Sequence, residues 1–452
     1  MKRGSFQIRC RLSSCGRTAL AILALAVGSG VYATAAPQTQ AAPSTPKDRI
    51  KAVHDLAKQG GTGTIASIAK YLKDGDRDVR VEAVKAIVGI GTDASLAPLL
   101  AALKDSDPEV QMRSTDGLVN FYLPGYVQSG VTAGIKRFGG GVVGYFSGSR
   151  NDAVIPPYVE VRPDVIQAIS ELISGGSSME SRANAARAEG VLRAKAALPA
   201  IEQGLHAKDG DVIYECLVAI EKINDPSAAP SAQFLLHDFS KRIQLEAINL
   251  TGLLRNKAAL PDLRDVFALT KDKKVKAGAL EAIAAMPENQ DAHLLDHLLH
   301  DKNPDFRVAG AEGLGRLGIP SDEPKLKSMF EGETKPAPRM AAAFGDSLLG
   351  NLDMSDFAPL RYLVNQLNSS AWRGVSIGYL VELCRREKVR QAIYPALGGS
   401  ATRDEKTGLS RVLESSGDRN SIPYVDTLSK DPDSDVATAG LNALRTLRMR
   451  FP

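Results

Sequence analysis

The stretch Asp78-Val79-Arg80-Val81-Glu82-Ala83-Val84-Lys85-Ala86-Ile87-Val88-Gly89-Ile90 decides the fold, because its pattern returns about every 31 residues along the chain. Its apolar or small residues recur at i, i+4, i+7, i+8 and i+11, which is the stripe that one face of an α-helix buries. Residues 306–317 repeat this pattern, with Arg307 in the place of Arg80. A fixed period of this length predicts stacked structural repeats instead of one central core.

The repeat spacing is regular over most of the chain. Positions equivalent to Val79 follow at steps of 31 to 34 residues, except for one step that holds about 40 additional residues. These positions are 79, 110, 181, 212, 243, 275, 306, 338, 372, 405 and 436. Each unit is predicted to form two antiparallel helices, the second one shorter, as at 96–103, 198–205 and 292–299. Residues 50–72 are predicted to cap the array at its N-terminal end.

Capping residues indicate where helices begin and end. Asp107-Pro108, Asn303-Pro304 and Asp431-Pro432 each offer a capping oxygen followed by a proline suited to the first helical position. Gly91 and Gly318 follow predicted helix ends, where a left-handed backbone is favoured.

The pattern Asp78-Val79-Arg80-x-x-Ala83-x-x-Ala86-Ile87-x-x-Ile90-Gly91 resembles the HEAT-repeat superfamily, and within it the short HEAT-like repeats named after phycobilisome lyases. The resemblance covers roughly residues 50–448, apart from the additional segment. It implies an all-α fold, a right-handed α-α superhelical solenoid of about eleven or twelve HEAT-like helix pairs. Unrelated proteins use this repeat, so the resemblance specifies architecture and leaves activity open.

The first 35 residues are predicted to be a secretory signal peptide. A basic leader precedes the apolar run 18–31, and Ala33-Thr34-Ala35 supplies the small residues of a cleavage site. The run is too short to span a bilayer comfortably, so an uncleaved anchor is the weaker interpretation. We therefore expect an exported protein, periplasmic or extracellular. The predicted segments are the signal peptide 1–35, a flexible spacer 36–48, HEAT-like repeats 49–121, an insertion 122–162 and HEAT-like repeats 163–452.

Charge argues against nucleic acid as a partner. The whole chain has 56 Lys and Arg against 52 Asp and Glu, a net charge of +4. Without the five basic residues of the predicted signal peptide, 51 Lys and Arg stand against 52 Asp and Glu, a net charge of −1. Such a chain lacks the excess of positive charge that is typical of nucleic-acid-binding proteins. Cys10 and Cys15 also belong to that segment. Cys216 and Cys384 lie several repeats apart, so we expect them to stay unpaired.

The insertion 122–162 lacks sustained helical or strand periodicity and is rich in glycine and aromatic residues. Seven of the chain's 24 aromatic residues lie between positions 121 and 158. Disordered segments are poor in aromatic residues, so this loop is expected to pack on something. One hypothesis is a flap that binds a partner or touches a membrane peripherally, with Tyr126, Phe138, Tyr145, Phe146 and Tyr158 as the candidate residues. The other is a loop that folds onto the second and third repeats of its own solenoid.

A histidine cluster is the strongest local signal for metal. His293, His297 and His300 fall on one face of a predicted short helix, and histidines at i and i+4 can chelate zinc, copper or nickel. A solvated polar face is the favoured interpretation, so we predict no metal. We expect the short helices to line the concave side of the solenoid.

Familiar catalytic patterns are missing from the sequence. It contains no G-x-S-x-G, H-E-x-x-H, P-loop or C-x-x-C pattern, and none of the His-Glu dipeptides of the HEAT-like di-iron hydroxylase. We therefore predict no catalytic residue and no cofactor. A recurrent set of arginines is interpreted as a structural ladder that caps helices or bridges to acidic residues of adjacent units. It comprises Arg80, Arg113, Arg182, Arg307 and Arg373.

These observations favour a non-enzymatic scaffold or adaptor of the cell envelope that binds a protein or peptide on its concave surface. The alternative is a HEAT-like lyase or redox enzyme that binds a tetrapyrrole or a metal. The sequence indicates neither the partner nor the oligomeric state.

Overall fold

The computed structural model describes residues 45–127, 153–398 and 400–452, and these residues form paired helices without any β-strand. Each repeat opens with a longer helix, here called the first helix, and a shorter second helix completes it. The first helices are Pro46–Gln59, Arg77–Ile90, Pro108–Tyr122, Met179–Val191, Gly210–Ile223, Lys241–Leu253, Lys273–Ala285, Pro304–Leu317, Pro336–Leu348, Arg373–Leu383, Arg403–Ser416 and Ser434–Arg450. The prediction of an all-α solenoid of HEAT-like repeats is confirmed.

The second helices are shorter and connect successive first helices. They are Thr62–Ala69, Asp93–Ala102, Pro163–Gly175, Leu198–Gly204, Leu260–Leu269, Ala292–Leu298, Glu323–Gly332, Pro359–Asn365, Glu387–Ile393 and Ile422–Leu428. In the fifth repeat the 3-10 helix Pro226–His237 takes this position. The helix Pro46–Gln59 begins within the segment 36–48 that the sequence predicted to be a flexible spacer. None of the described helices has the length and apolar character needed to cross a lipid bilayer.

Aspartate and asparagine side chains begin many of the first helices. Asp107 accepts hydrogen bonds from the backbone N–H groups of the second and third helical residues, and Asn303 accepts one from the second residue of its helix, Asp305. At Asp431-Pro432 the prediction is wrong, because the cap is Asp433 and the helix begins at Ser434. Asp431 instead accepts from the backbone N–H of Asp433 at 3.0 Å, so the proline lies in the preceding turn.

Glycine ends two of these helices as predicted. Gly91 and Gly318 have φ values of 59° and 72°, in the left-handed region that residues with a Cβ rarely adopt.

The arginine ladder is confirmed at three of its five predicted positions. Arg80 donates to both carboxylate oxygens of Asp105, in the turn that leads into the next repeat, at 2.7 and 3.1 Å, and to the carbonyl of Asp74 at 3.0 Å. Arg80 thereby links the first turn of its own helix both to the turn that precedes this helix and to the turn that precedes the next first helix. Arg307 and Arg373 repeat this arrangement. Arg182 makes only the carbonyl bond, to Gly176, and Arg113 pairs with Glu109 of its own helix, so neither bridges to the next unit.

Small residues allow neighbouring first helices to approach closely. A Cβ added to Gly190, Gly252 or Gly315 would lie 2.7, 2.9 or 2.4 Å from the Cα of Ala219, Ala282 or Gly345 on the next first helix. These three glycines hold the same position in alternate repeats. Because such contacts leave no room for a larger side chain, the spacing of these helix pairs depends on glycine.

The hydrophobic core runs along the array. It consists of two clusters of buried side chains that meet at the helix Lys273–Ala285, so each repeat shares its apolar residues with its neighbours.

Candidate functional site

The carboxyl ends of the first helices approach one another across several repeats. Arg255, just after the sixth first helix, pairs with Glu382 of the tenth at 2.5 Å. Arg316 of the eighth donates to the same carboxylate at 3.2 and 3.1 Å. The inner side of a superhelix has the shorter circumference, so elements that meet across repeats must line it. The first helices therefore form the inner face, and the expectation that the short second helices line the concave side is wrong.

A tyrosine and a phenylalanine complete this network. The hydroxyl of Tyr379 donates to Glu312 at 2.5 Å, and Arg316 pairs with the other oxygen of Glu312 at 2.7 Å. The Tyr379 ring stacks on Phe344 with 4.6 Å between ring centroids, and the Arg316 guanidinium lies 5.0 Å from the Phe344 centroid. Burial, together with the carboxylate of Glu312, raises the pKa of Tyr379 well above its usual value, so the phenol stays a hydrogen-bond donor.

The two arginines of the network are shared between two carboxylates. Burial alone would raise the pKa of the Glu382 carboxyl, but the hydrogen bonds and charges of Arg316 and Arg255 lower it below its usual value. The network thus holds the sixth, eighth and tenth repeats together through charge-assisted hydrogen bonds. We call the set Arg255, Glu312, Arg316, Tyr379 and Glu382 the inner network.

One carboxylate beside the inner network remains open to solvent. Glu281 is exposed, and it forms neither an ion pair nor a hydrogen bond with the described residues. Although the side chain reaches the surface, the protein packed around it partly desolvates the carboxylate, and this, followed by the negative charges of Glu312 and Asp305, raises its pKa to about 7. With Glu281 included, the inner network has three acidic and two basic side chains. This part of the inner face can accept a cation from outside the chain.

Only part of the predicted binding loop is described. Tyr126 is half-buried against the hydrophobic core, and Ile155 donates its backbone N–H to the carbonyl of Val191 at 2.9 Å. The ring of Tyr158 lies 5.8 Å from the guanidinium of Arg445 on the last helix. Both described flanks of the insertion therefore pack on the protein's own solenoid. Phe138, Tyr145 and Phe146 lie outside the described residues, and whether they bind a partner stays a prediction.

The predicted histidine cluster lies on the helix Ala292–Leu298 and the turn after it. His293, His297 and His300 are all exposed, and they point away from the buried Leu295 and Leu298. Within the described ranges, no group of three or more His, Cys, Asp or Glu side chains is arranged to hold a metal ion.

The two cysteines of the repeats are unpaired and fully buried. Burial raises the pKa of the Cys216 and Cys384 thiols to about 12. A thiolate is the reactive form of cysteine, so neither residue is placed to act as a nucleophile.

Sequence reasoning missed the inner network and Glu281, although a positional signal was available. Glu281 and Glu312 stand six residues after the positions equivalent to Val79, whereas Arg316 and Glu382 stand ten residues after them. Both positions lie beside the buried stripe, where surface helices usually carry charged side chains. Charged residues there indicate a site only when it is known that the first helices line the inner face.

The fold and its inner face define an all-α solenoid of HEAT-like repeats. Residues 38–119 match the family model described as HEAT repeats. No curated protein matches the chain. Among solved structures, an engineered protein is 16% identical with a TM-score of 0.36, over 90% of this chain and 96% of that one.

Structures of Kap121p are also similar to this chain. Kap121p bound to Pho4p is 11% identical over 89% of this chain and 44% of that one, with a TM-score of 0.38. Kap121p bound to Nup53p has the same identity and TM-score, over 89% of this chain and 43% of that one. The chain thus spans less than half the length of these Kap121p chains.

Proposed function

We propose that this protein is a non-enzymatic scaffold of the cell envelope whose inner face binds a protein or peptide. The supporting observation is Glu281, an exposed carboxylate beside the inner network, which by itself has two acidic and two basic side chains, so Glu281 adds an acidic group without a basic partner among the described residues. A basic side chain of the partner would supply the missing positive charge, and such complementarity favours both encounter and specificity.

The geometry of the inner face favours an extended partner. The ion pair between Arg255 and Glu382 joins the sixth and tenth repeats directly, which narrows the space between them. A single peptide segment needs less room than a folded domain, and it can contact several successive repeats. Modest contacts summed over many repeats then provide affinity without one dominant residue.

Site-specific photo-crosslinking tests this proposal. A benzoylphenylalanine residue in place of Ala277, one helical turn before Glu281, is compared with one at position 297, an exposed site on a second helix. We expect a defined crosslinked partner from position 277 in intact cells and none from position 297. Equal crosslinking from both positions, or none from position 277, would refute binding at this part of the inner face.

The charge of Glu281 provides an independent measurement on the captured partner. Its carboxyl has a pKa of about 7, so binding of a basic group should strengthen as the pH rises from 6 to 8. Glu281→Gln should weaken binding at pH 8 and abolish this pH dependence. An unchanged pH profile in the variant would exclude a role for this carboxylate.

Export is part of the proposal and has its own test. The protein recovered from cells should begin near Ala36 and fractionate with the periplasm or the medium. Intact Met1 on protein recovered from the cytoplasm would refute export. Peripheral membrane contact through 122–162, and the closer resemblance to phycobilisome-lyase repeats, remain predictions. The alternative of a lyase or redox enzyme gains no support from the buried thiols.

A further inference from the structure

A cleft lies between the second helices of the tenth and eleventh repeats, away from the inner face. It has a volume of about 250 Å³. The lining residues are Glu387, Gln391, Tyr394, Asn420 and Tyr424. They come from the helix Glu387–Ile393, the segment that follows it, and the start of the next second helix.

The floor of this cleft is a rigid aromatic platform. Tyr394 and Tyr424 stack with 3.8 Å between ring centroids and an interplanar angle of 9°. Tyr394 is buried, and its hydroxyl is hydrogen-bonded to the buried hydroxyl of Ser421 at 2.8 Å. Tyr424 stays 40% exposed and lines the cleft, so part of its ring is accessible to a ligand. A platform that is already ordered loses little conformational entropy when a ligand binds.

The polar groups of the cleft are also held in place. The side-chain amide of Gln391 donates to the Glu387 carboxylate at 3.1 Å, which leaves further lone pairs on that carboxylate free to accept hydrogen bonds. The backbone N–H of Asn420 donates to Asp418 at 3.0 Å, which fixes the turn that carries the Asn420 side chain. The lining thus combines a carboxylate, two amides and an accessible aromatic ring.

We propose that this cleft binds one or two residues of an uncharged oligosaccharide. A sugar ring presents a face of C–H groups that can pack on Tyr424, and its hydroxyl groups at the ring edge both donate and accept hydrogen bonds. The carboxylate accepts from such hydroxyls, whereas each amide can donate and accept at once. The volume is below the roughly 300–1,000 Å³ of drug-sized sites, which suits a ligand of about one or two rings.

A cationic side chain is the competing ligand, because a carboxylate beside an aromatic face can bind one. The surrounding charges disfavour it. The segments that form the cleft carry the exposed basic residues Arg385, Arg386, Lys388 and Arg419, and Asp418 is already paired with Arg390. Glu387 is therefore outnumbered by positive charges that would repel a cation.

Titration calorimetry and saturation-transfer NMR on the purified full-length protein test the proposal. The probes are the uncharged trisaccharides cellotriose, maltotriose and N,N′,N″-triacetylchitotriose, with N-acetylarginine amide as the cationic probe. We expect at least one trisaccharide to bind with a Kd of about 1 mM or tighter. Tyr424→Ala should weaken that binding by about tenfold or more, and the isosteric Glu387→Gln by several-fold. Phe239→Ala changes a fully exposed aromatic residue elsewhere and should leave the binding unchanged.

Three outcomes would overturn the proposal. They are failure of all three trisaccharides to bind, sugar binding that is unaffected by both cleft variants, and binding of the cationic probe alone. Glu387→Gln preserves side-chain size at an exposed position, so this variant should fold. It therefore tests the proposal even if Tyr424→Ala does not fold.

Discussion

Replacing Gly315 by alanine is expected to force two neighbouring first helices apart. The new Cβ would lie 2.4 Å from the Cα of Gly345 and 3.1 Å from its carbonyl oxygen. Carbon atoms in contact lie about 3.5–4.0 Å apart, so the helices must separate by about 1 Å. Overpacking of this kind costs about 1–3 kcal/mol, and the better helix propensity of alanine returns at most about 1 kcal/mol. We expect the free energy of unfolding to fall by about 1–2 kcal/mol.

Gly378→Ala is the matched control. An added Cβ at Gly378 meets no atom within 4 Å, so the same substitution there should stabilise the protein by up to about 1 kcal/mol. Repeat arrays can unfold in several steps, so backbone hydrogen exchange is the primary assay and the urea midpoint is the second. We expect faster exchange in Pro304–Leu317 and Pro336–Leu348 for Gly315→Ala alone. Equal stability of the two variants would refute the close approach of these helices.

Three further predictions concern charge and reactivity. Glu382→Gln leaves the partly buried Arg316 and the exposed Arg255 without their shared carboxylate, so thermal unfolding should show a loss of about 1–3 kcal/mol. Arg162→Ala, which removes an exposed ion pair, is the control and should change the free energy of unfolding by less than about 0.5 kcal/mol. Similar losses in the two variants would contradict a stabilising role of the inner network. Because Arg316 and Arg255 lower the pKa of the Glu382 carboxyl, the stabilisation that Glu382 provides should be present at neutral pH and lost as the pH falls through that pKa. The pKa of Glu281 is raised from 4.5 to about 7, so the folded protein holds this proton more tightly and stability should decrease as the pH rises between these values. Glu281→Gln should therefore increase Tm at pH 8 and leave it unchanged at pH 4, and equal shifts at both pH values would exclude this explanation. Cys216 and Cys384 should resist iodoacetamide in the folded protein and react after unfolding in urea, as followed for each cysteine by mass spectrometry; labelling of either one in the native state would contradict their burial.

The repeat architecture could be predicted from the sequence because its determinants are local. The buried stripe that begins at Val79, the caps Asp107 and Asn303, and the left-handed Gly91 all act within one or two turns of a helix. The shift from Asp431 to Asp433 shows the limit of this reasoning. Two aspartates on either side of Pro432 offer two caps, and the choice between them depends on the turn that comes before.

The inner face could not be predicted, because curvature is a property of the whole array. The stripe shows which side of each helix is buried but not which helix of a pair lies inside. Contacts such as that of Arg255 with Glu382 join residues 127 positions apart, and no periodicity within one repeat encodes them. The role of Glu281 depends on these contacts between distant repeats, and the sequence of a single repeat therefore does not predict it.

The glycine contacts between first helices have a mechanical consequence. They recur at Gly190, Gly252 and Gly315 of the fourth, sixth and eighth repeats, so this part of the stack is expected to alternate between stiff and compliant joints. The joint between Met179–Val191 and Gly210–Ile223 is tightly packed, whereas the next one, to Lys241–Leu253, is looser. Tension along the axis should therefore stretch the looser joints first and leave blocks of two repeats intact.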